Sequence, residues 1–173
     1  NGLDNICHEH REYYSFRSLK NLIERHNMEI FDVILNGING GSIRTYIRKR
    51  GGRIFAPKGS VERIWEIGEK EFSLGLDTPK PYMDFASRVN SIREKVVNFI
   101  RGEKLKGKKI CGSGASTKGN TTLQYFGLGP ELISRIGDKN PDKFGKMTVG
   151  SLIPIDSPEE IDKLDPDYLF VLV

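Results

Sequence analysis

A chain of 173 residues with a net charge of +4 can build one ordinary domain or two small cores. Hydrophobic residues make up 37%, charged residues 29%, and there are 19 glycines, the balance of a soluble, turn-rich globular protein. No apolar run reaches membrane-span length, and acids are interleaved with the mild basic excess. Membrane and nucleic acid are therefore not expected partners, whereas a phosphate-bearing small molecule suits the charge.

Cys7 and Cys111 lie far apart in the chain and form neither a disulfide framework nor a zinc ribbon, which points to a reducing, cytoplasmic setting. The chain begins at Asn1 without an initiator Met and stops in the buried-strand pattern YLFVLV. Termini usually lie at the surface, so the chain reads as a piece of a longer protein.

The first informative stretch is NICHEHREYYS, residues 5–15. Extended backbone would put His8 and His10 on one side and Cys7 and Glu9 on the other. A metal needs further ligands on the same side, and His26 has no motif spacing to these residues, so no metal site is expected. A general base and a plain polar turn both remain open.

Residues 18–27, SLKNLIERHN, carry Leu19, Leu22 and Ile23 at helical spacing, with Ser15 or Ser18 available as N-cap. EIFDVIL (29–35) and SIRTYIRK (42–49), joined by NGINGG, read as an antiparallel hairpin. Two helices follow a break at 51–59, over 61–74 and 81–107. In the second, Phe85, Val89, Ile92, Val96 and Phe99 form one apolar stripe, expected to face a core.

The last third changes character. A strand at 108–112, a glycine loop, a helix at 121–127, a strand at 133–138 ending in Asp138, a short helix capped by Ser157 and a final strand alternate as parallel βαβ units do. The loop GSGASTKGNT has Thr117 where a dinucleotide fingerprint needs glycine, and Lys118 precedes Gly119, so it is neither that fingerprint nor a Walker A loop. Its strand-to-helix position still suits an anion, with Lys118 beside it; a tight turn with a solvated lysine is the plainer reading. Asp138 reads either as a ribose-binding acid or as a strand-end turn.

Taken in order, ICHEHREYYSFRSLKNLIERH, INGGSIRTYI, CGSGASTKGNTTLQYFGLGP, DKNPDKFGK, IPI and SPEEI resemble the C-terminal half of the S-adenosylmethionine-dependent sugar C-methyltransferases. These enzymes methylate a ring carbon of a nucleotide-linked 4-keto deoxysugar. The resemblance implies an α/β chain: the closing helix and antiparallel hairpin of a class I methyltransferase domain (1–52), a helical bridge (53–106), and a truncated Rossmann-like domain with a parallel sheet that binds sugar nucleotide (107–173). It also implies that the S-adenosylmethionine loop and a zinc domain lie outside this chain. No zinc is expected here, and the fragment alone should be inactive.

The family's Glu-His pair falls on Glu9 and His10, which makes His10 the base for the carbon beside the ketone and Glu9 its supporting partner. Some family members carry a tyrosine where this chain has Cys7, and Tyr13 or Tyr14 is then the source of a hydroxyl for the enolate; Tyr14 is taken. His8 has no assigned role. Substrate contacts are expected from Asn39, Ser42 and Arg44 in the hairpin, and from Gly112, Gly114, Ser116, Lys118 and Asn120 in the loop. The rival reading is a non-catalytic Rossmann-like module that binds a nucleotide or sugar nucleotide.

Overall fold

The computed structural model describes residues 2–7 and 9–172, with Asn39 described in its backbone alone. The described residues form two compact units, one of residues 11–87 and one of residues 2–7, 9–10 and 88–172. The short N-terminal segment groups with the second unit because Leu3 packs on that unit's core and Asn5 is buried.

The first unit opens with helix α1 (Phe16–Arg25). Ser15 caps it, its side chain accepting the Ser18 N–H, which satisfies one of the donors a helix start leaves open. Strands β1 (Met28–Asn36) and β2 (Ser42–Lys49) pair antiparallel, with a register shift between Ile30 and Asp32. The connection is one 3-10 turn, Ile38–Gly40, entered through an N–H···O bond from Ile38 to the Asn36 side chain (3.0 Å).

Helix α2 (Ser60–Ser73) packs on β1 and α1. Phe16, Ile30, Val33 and Ile67 form the core, with Leu19, Ile23, Ile43 and Ile64 around them. Inside this unit Asp32 is 3% exposed. Burial pushes its carboxyl up, but bonds from Arg63, the Val33 N–H and Ser60 outweigh that and hold it below its ordinary value. A buried acid so paired pins α2 to β1.

Helix α3 (Lys80–Leu105) runs through the boundary between the units. The expected stripe is only partly right. Val89 is buried, yet Ile92 and Phe99 are 55% and 53% exposed, and the deeply buried positions are Val97, Ile100 and Glu103. The buried face is therefore turned by about one residue in the last turns. Glu103 is tolerated there because Lys106 Nζ and the Tyr168 hydroxyl donate to it, at 2.7 and 3.0 Å.

The second unit is a four-stranded parallel sheet in the order β5-β4-β3-β6, built from β3 (Ile110–Ser113), β4 (Ile136–Gly137), β5 (Ile155–Asp156) and β6 (Tyr168–Val171). Helices α4 (Thr117–Phe126) and α5 (Pro158–Lys163) connect them, capped by Ser116 and Ser157. The Ser157 cap is as expected, whereas α4 starts four residues before the expected 121 and takes in the second half of the glycine loop. The mixed α/β class with a parallel sheet and a separate antiparallel hairpin is as expected, although β5 was not foreseen. Ile110, Leu123, Ile133, Ile136 and Ile153 are almost completely buried at its centre. The strand order reverses about β3, so the crevice at the carboxyl ends of β3 and β6 is the place where such sheets bind ligands.

Candidate functional site

Residues 2–10 and the start of α4 belong to the same unit. A 3-10 turn, Leu3–Asn5, packs against α4. His10 lies at the end of this segment with its Nδ1 2.8 Å from the Asn5 carbonyl oxygen. A carbonyl can only accept, so Nδ1 carries the proton, and in the neutral ring the lone pair is on Nε2. Asn5 acts through its backbone, which no side-chain pattern in the sequence reveals. Glu9 is exposed, and the acceptor placed on His10 Nδ1 is Asn5. His8 lies outside the described residues.

The glycine loop has internal reasons for its composition. A Cβ on Gly112 would stand 2.6 Å from Ile136 Cγ1, and one on Gly119 would stand 2.9 Å from Leu172 Cβ. Gly114 has φ +92° and its Cβ would collide with the Leu172 carbonyl oxygen. Gly112 and Gly114 let β4 and the end of β6 close on β3, and Gly119 lets α4 approach Leu172.

What the loop leaves for an anion is the first turn of α4. Ser116 Oγ accepts the Gly119 N–H at 2.8 Å. Among the described residues no acceptor meets the N–H groups of Thr117 and Lys118, and helix starts of this kind favour negative charge. Lys118 Nζ stands 3.9 Å from Asp4 Oδ2. Asn120 Oδ1 is buried and, among the described residues, has no hydrogen-bond partner.

Asp138 is used up within the protein. Its Oδ2 accepts from the Ala115 N–H (2.7 Å) and from Lys143 Nζ (2.9 Å), and its Oδ1 from the Asn140 N–H (2.9 Å). Lys143 also donates to the Ala115 carbonyl at 3.0 Å. The strand-end turn is what the structure contains, extended into a brace under the glycine loop. Burial raises the Asp138 carboxyl, but the Lys143 ammonium and the two N–H donors overcome this and lower it.

Asp138→Asn leaves one oxygen where two served and sets an amide against Lys143. It is expected to cost about 1–3 kcal/mol, read as a lower urea midpoint at pH 7. Because the folded-state value is depressed, the contribution is complete above the ordinary carboxylate value of about 3.9 and is lost as pH falls through the folded value. The gap between parent and variant should therefore close in acid; a gap unchanged down to strong acid would refute the charged brace.

Tyr14, Ser42 and Arg44 belong to the other unit. The Tyr14 hydroxyl donates to the Glu12 carboxylate, which raises the phenol's pKa. Ser42 Oγ donates to the Ile38 carbonyl at 2.9 Å and closes the hairpin turn. Arg44 is exposed on β2 opposite Ile34. The Asn39 side chain lies outside the described residues.

A cleft of about 280 Å³ between α1 and α2 is lined by Phe16, Ile64, Trp65 and Phe72 among others, and by no predicted site residue. Its charged walls serve the fold: Arg17 pairs with Asp77 at 3.2 Å, and Glu71 accepts the Phe16 and Arg17 N–H groups. Among the described residues, no group of three or more His, Cys, Asp or Glu side chains could hold a metal ion. No helix among them is long and apolar enough to cross a membrane.

A parallel half-sheet with an anion-suited helix start, preceded by a helix and a hairpin, defines a class. Residues 37–173 match the model of the C-methyltransferase C-terminal domain, and the chain belongs to that family. It is also 34% identical over 177 positions to "C-methyltransferase NovU" of Streptomyces niveus; the match takes in 99% of this chain and 40% of that relative's length.

The family resemblance implies S-adenosylmethionine. The loop is a poor cradle for it, because the space beside Gly114 and Gly119 is filled by Leu172. At this loop the described residues do not fit that cofactor.

Proposed function

We propose that this chain is the substrate-side part of an S-adenosylmethionine-dependent C-methyltransferase that acts on a nucleotide-linked 4-keto deoxysugar in a reducing, cytoplasmic setting. In this reading residues 1–52 finish the methyltransferase domain, 53–106 are the bridge and 107–173 hold the sugar nucleotide. The methyl donor is supplied from elsewhere in the whole protein, as is any zinc, so the chain alone transfers no methyl group.

The observation that carries the reading is the bond from His10 Nδ1 to the Asn5 carbonyl. It sets the tautomer a base requires. His10 Nε2 takes the proton from the carbon beside the ketone, leaving the enolate. Glu9 supports the imidazolium by its charge, since Nδ1 is held by Asn5, and the Tyr14 hydroxyl turns from Glu12 to the enolate oxygen. The start of α4 with Ser116, Lys118 and Asn120 holds the diphosphate, and Asn39, Ser42 and Arg44 contact the sugar.

The test is proton exchange. With a 4-keto sugar nucleotide in deuterium oxide and no methyl donor, the full-length protein should wash deuterium into the acidic carbon. A full-length protein that binds the nucleotide without exchange would be the non-catalytic module. The diphosphate assignment is checked separately: Lys118→Ala should weaken thymidine-diphosphoglucose by about 1–2 kcal/mol in titration calorimetry, the worth of one charge-assisted hydrogen bond. Equal affinities would return Lys118 to the solvated surface.

A further inference from the structure

Lys118 does not stand alone. Asp4, in the Leu3–Asn5 turn, brings Oδ2 to 3.9 Å from Lys118 Nζ, with both side chains 35% exposed. That is too long for a hydrogen bond, so the pair is an electrostatic neighbourhood and not a closed bridge. Glycine at position 2 leaves room for the carboxylate over the chain start, where an added Cβ would collide with Asp4 Oδ1. The turn itself is anchored, since Leu3 packs on the core of the unit and Asn5 is 5% exposed.

An anion oxygen bonded to Lys118 at about 2.8 Å cannot then lie more than about 7 Å from Asp4 Oδ2, which is inside a Debye length at physiological salt. Whatever Lys118 receives is therefore also felt by a fixed negative charge. A carboxylate in that position repels additional negative charge and accepts hydrogen bonds from hydroxyl groups.

We infer that Asp4 is a specificity-determining residue of the diphosphate site. It favours a diphosphate diester that carries hydroxyl groups, as a nucleotide-linked sugar does, over a free nucleoside diphosphate, whose terminal phosphate bears extra charge and no sugar hydroxyls. This rests on the reading of Lys118 as the diphosphate lysine. It adds that the site is built to discharge the bare nucleotide, so that nucleoside diphosphate liberated from other sugar nucleotides does not occupy it.

The experiment is titration of the full-length protein with thymidine diphosphate and with thymidine-diphosphoglucose, for the parent, Asp4→Asn, Asp4→Glu and Lys118→Ala. The quantity read is the ratio of the two affinities, which partial loss of folded protein does not change. The parent should prefer the diphosphoglucose. Asp4→Asn should tighten thymidine diphosphate about three- to tenfold, the scale of one charge at this distance in a largely aqueous medium. The sugar nucleotide should tighten less, because it carries about one charge fewer and loses the hydroxyl bonds to the carboxylate, so the preference collapses. Asp4→Glu keeps the charge and should keep the preference. An unchanged ratio in Asp4→Asn, with Lys118→Ala weakening both ligands, overturns the role of Asp4 and leaves the diphosphate site standing. If the parent binds neither ligand, the reading of the site fails and the inference with it.

Discussion

His10→Asn in the full-length protein should lower turnover about 10²- to 10⁴-fold, the usual worth of a positioned general base. Asparagine keeps a polar side chain of similar reach and can still donate toward the Asn5 carbonyl, the partner of Nδ1 at 2.8 Å. It cannot take up a proton near neutral pH. The affinity for sugar nucleotide should change little, because Lys118 and the start of α4 are assigned to the diphosphate. Exchange of the acidic carbon's proton without methyl donor separates chemistry from binding: the parent should wash in deuterium and His10→Asn should not. His8→Asn is the matched control and should stay near the parent rate. Loss of exchange in His8→Asn with normal exchange in His10→Asn would show that the wrong imidazole has been chosen. Normal exchange in both would place the base outside this motif.

Gly114→Ala should destabilise the second unit by about 2–5 kcal/mol, the sum expected for a forced left-handed backbone and an overpacked contact. Gly114 has φ +92°, a conformation L side chains rarely adopt. Its new methyl group would run into the carbonyl oxygen of Leu172, just beyond β6. That oxygen belongs to backbone, which cannot swing aside as a flexible side chain can, and the Leu172 N–H is bound to the Ser113 carbonyl at 2.8 Å. Gly40→Ala separates the two costs. Gly40 has φ +74°, and nothing lies within 4 Å of the point its methyl group would occupy, so it bears the backbone cost alone, about 1–2 kcal/mol. Urea unfolding of the two variants, each against the parent, gives the difference; equal losses would mean that the end of β6 moves aside freely.

Much of this protein was legible locally. The caps Ser15 and Ser157, the hairpin with its Asn and Gly turn, and the βαβ alternation each depend on residues a few positions apart, and the structure contains all of them. The order of motifs also carried the family, since such a match needs no tertiary information. The Glu9-His10 pair could be singled out as candidate chemistry for the same reason.

What only the tertiary structure decided lies in contacts between distant residues. Strand β5 is two residues long and exists because β4 pairs with it; so short a segment has no period of its own. The stripe on α3 could be counted in the sequence, but which of two adjacent rows meets the core depends on the sheet beneath it, and Val97, Ile100 and Glu103 took that place. Asp138 was an acid at a strand end until Ala115 and Lys143 closed on it. The loop glycines suggested a ligand cradle, yet what stands beside Gly114 and Gly119 is Leu172, more than fifty positions away. Side-chain type and spacing record what a residue can do. Which partner it meets is settled by burial of the whole core, where each contact is chosen against the others and no local pattern carries the answer.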